Sequence, residues 1–435
     1  MHCNQCEQTP VGGCTTRGVC GKEPDIQGLQ ELITYGMKGV AAYASHARDM
    51  GYQDPEVDQV LHEGLYTSLT NVNFDPDSHF HVAMAVGEAA VGAMELLDEA
   101  HTTELGIPEP VEVPQNDVEG HPILVTGHDL YALKQLLEQS EDEDVTVYTH
   151  SEMLPAHGYP ELAKYDHLKG NVGQAWHDQR TLFAEFPGAI LGTSNCVQPP
   201  KEEYVDRFYT SGIAGLPGVE EVDTDDFGPV IETAKESPEV DWEGDGTIST
   251  GFHHEPLLGQ LDAIVDAIEA GKLRHFFVIA GCDAPTPGRE YYRELAKAIP
   301  DDCVIMTTSC GKFRFNDIDY GTVPGTDIPR YIDFGQCNNS ISTVSMATAL
   351  AEELDCGVND LPLSIVLSWF EQKAIAILLG LFSLGVEDIY LGPTLPEFLT
   401  PTLVEQIQAE FGLQPTGEPE EDLAAMVGEE VPQTV

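Results

Sequence analysis

The chain has 435 residues, 42% of them apolar, and a formal net charge of −54 from 74 acidic against 20 basic side chains. Binding to nucleic-acid phosphates needs a basic face, so this charge argues against a nucleic-acid partner. No run of about 18 unbroken apolar residues marks a membrane span, and roughly 100 to 200 residues per domain implies two to four domains.

Acidic residues are scattered over the whole length, with only short runs such as Glu141 to Asp144 and Glu418 to Asp422. Self-repulsion of this size is screened when the Debye length shrinks to about 3 Å at 1 M salt. The pattern therefore reads as adaptation to the salt-rich cytoplasm of a halophile, an acidic docking face being the alternative. Cys3 stands where the basic and apolar regions of a secretory leader would lie, so a soluble, cytoplasmic protein is expected.

The chain opens with Cys3, Cys6, Cys14 and Cys20 in a C-x2-C-x7-C-x5-C run, among Gly12, Gly13, Gly18 and Gly21. Four thiolates on a short, turn-rich segment supply the full ligand set of an iron–sulfur cubane. Zinc also accepts four thiolates, and disulfides are the third reading, although they suit a small scaffold in an oxidising compartment.

Leu29, Leu32, Ile33, Met37 and Val40 then recur at helical spacing, followed by Val57, Val60, Leu61 and Leu65 and by a small-residue-rich stretch from His79 to about His101. Val111 to Asn116, with Pro108, Pro110 and Pro114 nearby, reads as a linker. Beyond it, short β-rich runs alternate with helical stretches, the pattern of parallel α/β architecture. The runs are 123–126, 145–148, 189–193, 276–280, 304–307, 331–334, 364–367 and 389–391. Residues 217–250, acidic and rich in Gly and Pro, read as a solvated surface excursion leading to a boundary near residue 255. The expected domains are thus an N-terminal iron–sulfur segment with a small helical domain over 1–107, and two Rossmann-like parallel α/β domains over 108–255 and 256–435, with the active site between them.

A potential metal ligand follows each of seven successive runs within a few residues: His128, Glu152, Cys196, Cys282, Cys310, Cys337 and Glu371. Ligands of open parallel sheets bind beyond the carboxyl ends of the strands, so these side chains are expected to converge on a second metal site with mixed S, N and O donors. Singly, each has a plainer reading: a small buried cysteine, a carboxylate at a helix N-terminus, a turn histidine. Cys303, opening a run, and Cys356, ending a helical stretch, read as structural. His150, His157, His253 and His254 stay open.

The chain resembles the hybrid-cluster (prismane) proteins, which are hydroxylamine reductases. The resemblance rests on the opening cysteine run and on GHDL (127–130), HSEMLPAHGYP (150–160), TSNCVQPP (193–200), AGCDAPTPGR (280–289), CGKFRFN (310–316), FGQCNN (334–339), SWFEQKA (368–374) and LGPTLPEFLTP (391–401). It implies a [4Fe–4S] cluster on the four N-terminal cysteines and a hybrid [4Fe–2O–2S] cluster on the seven later residues. Cys282 would carry an extra sulfur as a persulfide in some states, and Cys196, Cys310 and Cys337 would be plain thiolates. Lys373 would sit near the pocket as a proton donor or charge partner, with Glu371, Glu152 and His128 managing protons. The implied reaction is reduction of hydroxylamine to ammonia and water, with electrons from a redox donor protein entering at the N-terminal cluster. Nitric oxide reduction in nitrosative-stress defence, or a non-enzymatic nitric-oxide response acting on partner thiols, are alternatives. A carbon monoxide dehydrogenase would demand nickel and a different ligand set. Longer family members have a larger helical region after the cysteine segment; the short one here leaves the cubane less covered, and a homodimer over that side is the expectation for assembly.

Overall fold

The computed structural model describes residues 1–428. The chain forms two compact units, one of Met1–Ala100 with Ala351–Val435 and one of His101–Leu350. These units cut the chain differently from the three consecutive segments 1–107, 108–255 and 256–435.

In the first unit three helices follow the cysteine segment: Pro24–Asp49, Pro55–Thr67 and Pro76–Leu105. Each opens on a proline, whose fixed φ suits the first helical position and whose missing N–H costs nothing there. Asp54 caps the second by accepting from the Glu56 amide at 2.8 Å. Leu29, Leu32, Ile33, Met37 and Val40 are all buried, as their spacing requires. The third helix is long and apolar enough to cross a membrane by length and composition alone. Its Val86, Ala90, Ala93, Met94 and Leu97 are nevertheless buried in protein, and it carries Glu88 and Glu95. A Cβ at Gly87 would collide with the main-chain oxygen of Leu379, so glycine permits this helix to meet Gln372–Ser383 backbone to backbone. The strands Leu363–Ser368, Tyr390–Gly392 and Gln414–Pro415 pair in parallel in that order. Phe411 stacks on Phe382 with ring centroids 4.3 Å apart, joining the intervening helices.

The second unit carries a six-stranded, wholly parallel sheet. In spatial order its strands are Leu168–Asn171, Thr146–His150, Pro122–Thr126, Ala189–Gly192, Phe208–Thr210 and Glu220–Glu221. Counted along the chain this is the doubly wound order 3-2-1-4-5-6, which reverses direction between Pro122–Thr126 and Ala189–Gly192. Its core is aromatic: Phe183 packs edge-on against both Tyr204 and Phe208, with Leu124, Tyr148 and Ile190 around them. The same unit also holds parallel strands His275–Gly281, Cys303–Thr307 and Tyr331–Asp333, side by side in that order.

Two sequence expectations are corrected. Val111–Pro114 is no linker but a strand, paired antiparallel with Thr247–Thr250. Residues 217–250 are not a solvated excursion, because they contain the helix Gly228–Glu236 and bury Val222, Phe227, Val230, Ile231, Ala234 and Ile248. Their acidic composition describes the outer face only. Both stretches were misread because their pairing partners lie far away in sequence.

Candidate metal centre

At the point where the six-stranded sheet reverses, two strand ends must approach closely. Gly127 makes this possible: its φ is +115°, and a Cβ there would lie 2.5 Å from Thr193 Oγ1 and 2.9 Å from the Ser194 amide nitrogen. The Ser194 hydroxyl then accepts from the His128 amide at 2.9 Å, and Asp129 caps the helix Leu130–Ser140. His128 and, four residues after the neighbouring strand, Cys196 are thereby brought to the switch point of the sheet, where doubly wound folds bind ligands.

Glu152 lies in the 3-10 turn Ser151–Gly158 that follows the adjacent strand, and it is 1% exposed. Its Oε2 is 3.7 Å from His128 Nε2 and accepts from the Cys337 amide at 3.1 Å. The ligating atoms of His128, Glu152 and Cys337 all fall within 4.8 Å of one another, and all three residues are buried. Gln336 binds these loops together, donating from Nε2 to the carbonyl oxygens of His128 (3.0 Å) and Glu152 (2.7 Å). Gln336 was missed from sequence although the FGQCNN motif contains it, since an amide beside a cysteine carries no ligand chemistry of its own.

Cys310 begins the 3-10 turn after Cys303–Thr307 and is fully buried, with the Ser151 hydroxyl 3.4 Å from its sulfur. The Cys196 thiol beside it, together with burial and the Glu152 charge, pushes the Cys310 thiol well above its ordinary range. Two sulfurs, a carboxylate and an imidazole packed this closely are a poor protein interior and a good donor set, and thiolate with mixed N and O ligands suits iron. Backbone strain surrounds the group: Ser151, Cys196 and Ser309 have φ of 56°, 61° and 69°. Such values cost energy for non-glycine residues and persist where surrounding contacts enforce them. Around Ser309, whose amide donates to the Gly335 carbonyl at 2.9 Å, Lys312 holds Asp333 at 2.8 Å and the same carbonyl at 2.8 Å with no solvent exposure. It too was overlooked in the sequence.

Cys282 follows the neighbouring strand His275–Gly281. Its carbonyl accepts from Arg289 at 2.9 Å, and Asp283 beside it is gripped by Arg314 at 2.8 Å and by His177 at 3.1 Å. Hydrogen bonds to Asp178 and Asp283 raise His177 to about 9, making it a cation.

The remaining expected residues belong to the first unit. Glu371 precedes the helix Gln372–Ser383, and its Oε1 is 3.8 Å from Lys373 Nζ, a buried ammonium. In the cysteine segment the backbones of Cys3 and Cys14 pair, N to O at 3.1 and 2.8 Å, turning the loop back on itself. Cys20 reaches the Thr70 carbonyl at 3.8 Å, and Lys22 Nζ lies 3.9 Å from the Cys3 sulfur. All ten cysteines are free thiols. Four thiols on one folded loop fit an iron–sulfur cofactor.

The other candidates have structural surroundings. Burial drives His150 down to about 3 and His157 to about 4, and they bond the hydroxyls of Thr126 and Thr149. The His253 and His254 rings lie against each other, centroids 4.1 Å apart and tilted by 36°, and His254 meets the Ser342 hydroxyl. Cys303 opens its strand as expected, its thiol pushed up to about 12, mainly by burial.

Comparison with known proteins gives the family. The Prismane/CO dehydrogenase family model matches residues 1–82 and 75–424. A hydroxylamine reductase of Moorella thermoacetica is 53% identical over 98% of this chain and the whole of the relative. One from Solidesulfovibrio magneticus is 49% identical over 93% of this chain but only 75% of its own, longer length. In three dimensions, carbon monoxide dehydrogenase IV from Carboxydothermus hydrogenoformans superposes with a TM-score of 0.81 at 14% identity, covering 98% of this chain and 92% of that one, a likeness of fold. The chain belongs to the Prismane/CO dehydrogenase family.

Proposed function

We propose that the protein is a hydroxylamine reductase, an oxidoreductase that converts hydroxylamine, two electrons and two protons into ammonia and water. The observation that carries this reading is the buried meeting of His128, Glu152 and Cys337, with Cys196 and Cys310 beside them, in a chain about half identical to hydroxylamine reductases. In this reading Cys3, Cys6, Cys14 and Cys20 hold a [4Fe–4S] cluster. His128, Glu152, Cys196, Cys282, Cys310 and Cys337 hold a hybrid iron–sulfur–oxygen cluster, and the ligand role of Glu371 rests on the family motif SWFEQKA alone.

When bound, the hybrid cluster supplies electrons and a Lewis-acidic iron for a small nitrogenous substrate. The chain's own residues orient and protonate. Gln336 fixes the two main-chain segments that carry His128 and Glu152. When not ligating the cluster, the His128 imidazole or the Glu152 carboxylate, 3.7 Å apart, is placed to carry a proton to the departing oxygen. On the family motif SWFEQKA alone, Lys373 is assigned as a second proton source, with the Glu371 carboxylate 3.8 Å away as its charge partner. A cytoplasmic protein, a redox-protein electron donor and a homodimer complete the proposal.

The test is iron and sulfide quantification with EPR on anaerobically purified protein, alongside dye-coupled ammonia formation. Two four-iron centres, about eight irons, are expected. Cys282→Ala and Glu371→Ala should abolish ammonia formation while sparing the N-terminal cluster's signal; full activity in either variant would remove that residue from the site.

A further inference from the structure

Lys22 is 1% exposed, yet among the described residues no carboxylate lies within ion-pair distance of it. Its ammonium has three donors and meets three acceptors: Gln30 Oε1 at 2.6 Å, Gln27 Oε1 at 3.0 Å and the Cys3 sulfur at 3.9 Å. Neither amide is free to turn away. Gln27 donates its Nε2 to Glu31 at 2.7 Å, and Gln30 donates to the carbonyls of Thr67 and Leu69, with His79 Nε2 at 3.4 Å. Two amide dipoles are thus locked with their oxygens on one buried cation. Dipoles alone are weak compensation for a desolvated charge, which ordinarily demands an opposite one. Glu31, which accepts from Gln27, stands one amide removed. The neighbour in direct contact with the ammonium that can carry negative charge is the Cys3 sulfur of the four-cysteine loop.

We propose that Lys22 is the buried counter-cation of the cluster held by Cys3, Cys6, Cys14 and Cys20, and that it sets that cluster's reduction potential upward. The inference rests on the cofactor reading above. A cubane bound by four thiolates is an anion, and one electron arriving from the donor makes it more negative with no proton needed. A fixed cation against one ligand sulfur favours the reduced form more than the oxidised form, and burial keeps solvent from screening the difference. The electron is thereby accepted from a weaker reductant than an uncompensated cluster would require.

The experiment is an anaerobic potentiometric titration of the full-length holoenzyme and of Lys22→Met, following the EPR signal of the N-terminal centre. The expected result is a more negative midpoint, at least tenfold in the reduction equilibrium or about 59 mV for a one-electron couple, with the hybrid centre's signals unmoved. An intact centre with an unmoved midpoint overturns the proposal alone. If Lys22→Met loads no N-terminal cluster, Lys22→Arg decides: a loaded cluster with the native midpoint supports a requirement for charge, and loss of the cluster there too overturns it in favour of shape. Should Cys14→Ser leave every iron centre of the enzyme intact, the cofactor reading itself fails, and the proposal with it.

Discussion

Gln336 Nε2 lies 2.7 Å from the carbonyl oxygen of Glu152, 184 residues away in sequence, and the same nitrogen serves His128. One amide thus ties the turn before Cys337 to two strand ends of the six-stranded sheet. Gln336→Leu should strand both carbonyls in a buried site, at roughly 1–3 kcal/mol each. Iron in the hybrid centre and ammonia formation should fall together while the N-terminal signal persists, as iron analysis with EPR will show. Native iron content would mean that the loops are held without it.

Lys312 and Asp333 form an ion pair with no solvent exposure on either side. Lys312→Met leaves a buried carboxylate uncompensated, a loss of about 3–5 kcal/mol in comparable pairs. Lys312→Met combined with Asp333→Leu should recover much of that loss, because no charge is then buried. Thermal denaturation of both variants measures the difference, and equal melting temperatures would contradict the account.

His177 has a folded-state value of about 9, above its ordinary 6.5, through Asp178 and Asp283. A raised value means that the contribution is complete below pH 6.5 and is lost as pH rises through 9. The melting temperature should therefore decline between pH 7 and pH 9.5, and the decline should be shallower in His177→Phe. His150, held neutral by burial, acts oppositely: it contributes above its unfolded value and loses that contribution as pH falls toward 3. Parallel pH profiles for the native protein and His177→Phe would refute the assignment.

A net charge of −54 spread along the chain predicts stability that rises with salt. The melting temperature should increase steeply from 0.1 M to about 1 M potassium chloride, where the Debye length contracts from about 10 Å to about 3 Å. A flat profile would end the reading of adaptation to a salt-rich cytoplasm.

How much of this was legible beforehand follows the range of the interactions. All eight expected β runs are strands to within a residue or two, because a short apolar run bounded by turn residues is a local signal. Short, partly exposed strands such as Leu168–Asn171 and Glu220–Glu221 escaped notice, since their composition is that of loops. The candidate ligands could be recognised because ligating chemistry marks them and because they recur just past strand ends. Gln336, Lys312 and Lys22 could not, as their importance is positional and each partner set comes from elsewhere in the chain.

By itself the amino-acid sequence determined the inventory of candidate ligands, the opening four-cysteine run, the strand and helix periodicities and the surface charge, all properties of residue type and spacing. Only the tertiary structure decided that the first sheet winds 3-2-1-4-5-6, so that His128 and Cys196 share its switch point. It alone paired Val111–Pro114 with Thr247–Thr250, joined the C-terminal stretch to the N-terminal helices, and put a lysine rather than solvent against Cys3. The reason is physical: periodicity says which face of an element is buried, but which distant segment buries it is settled by packing and hydrogen-bond satisfaction over the whole chain.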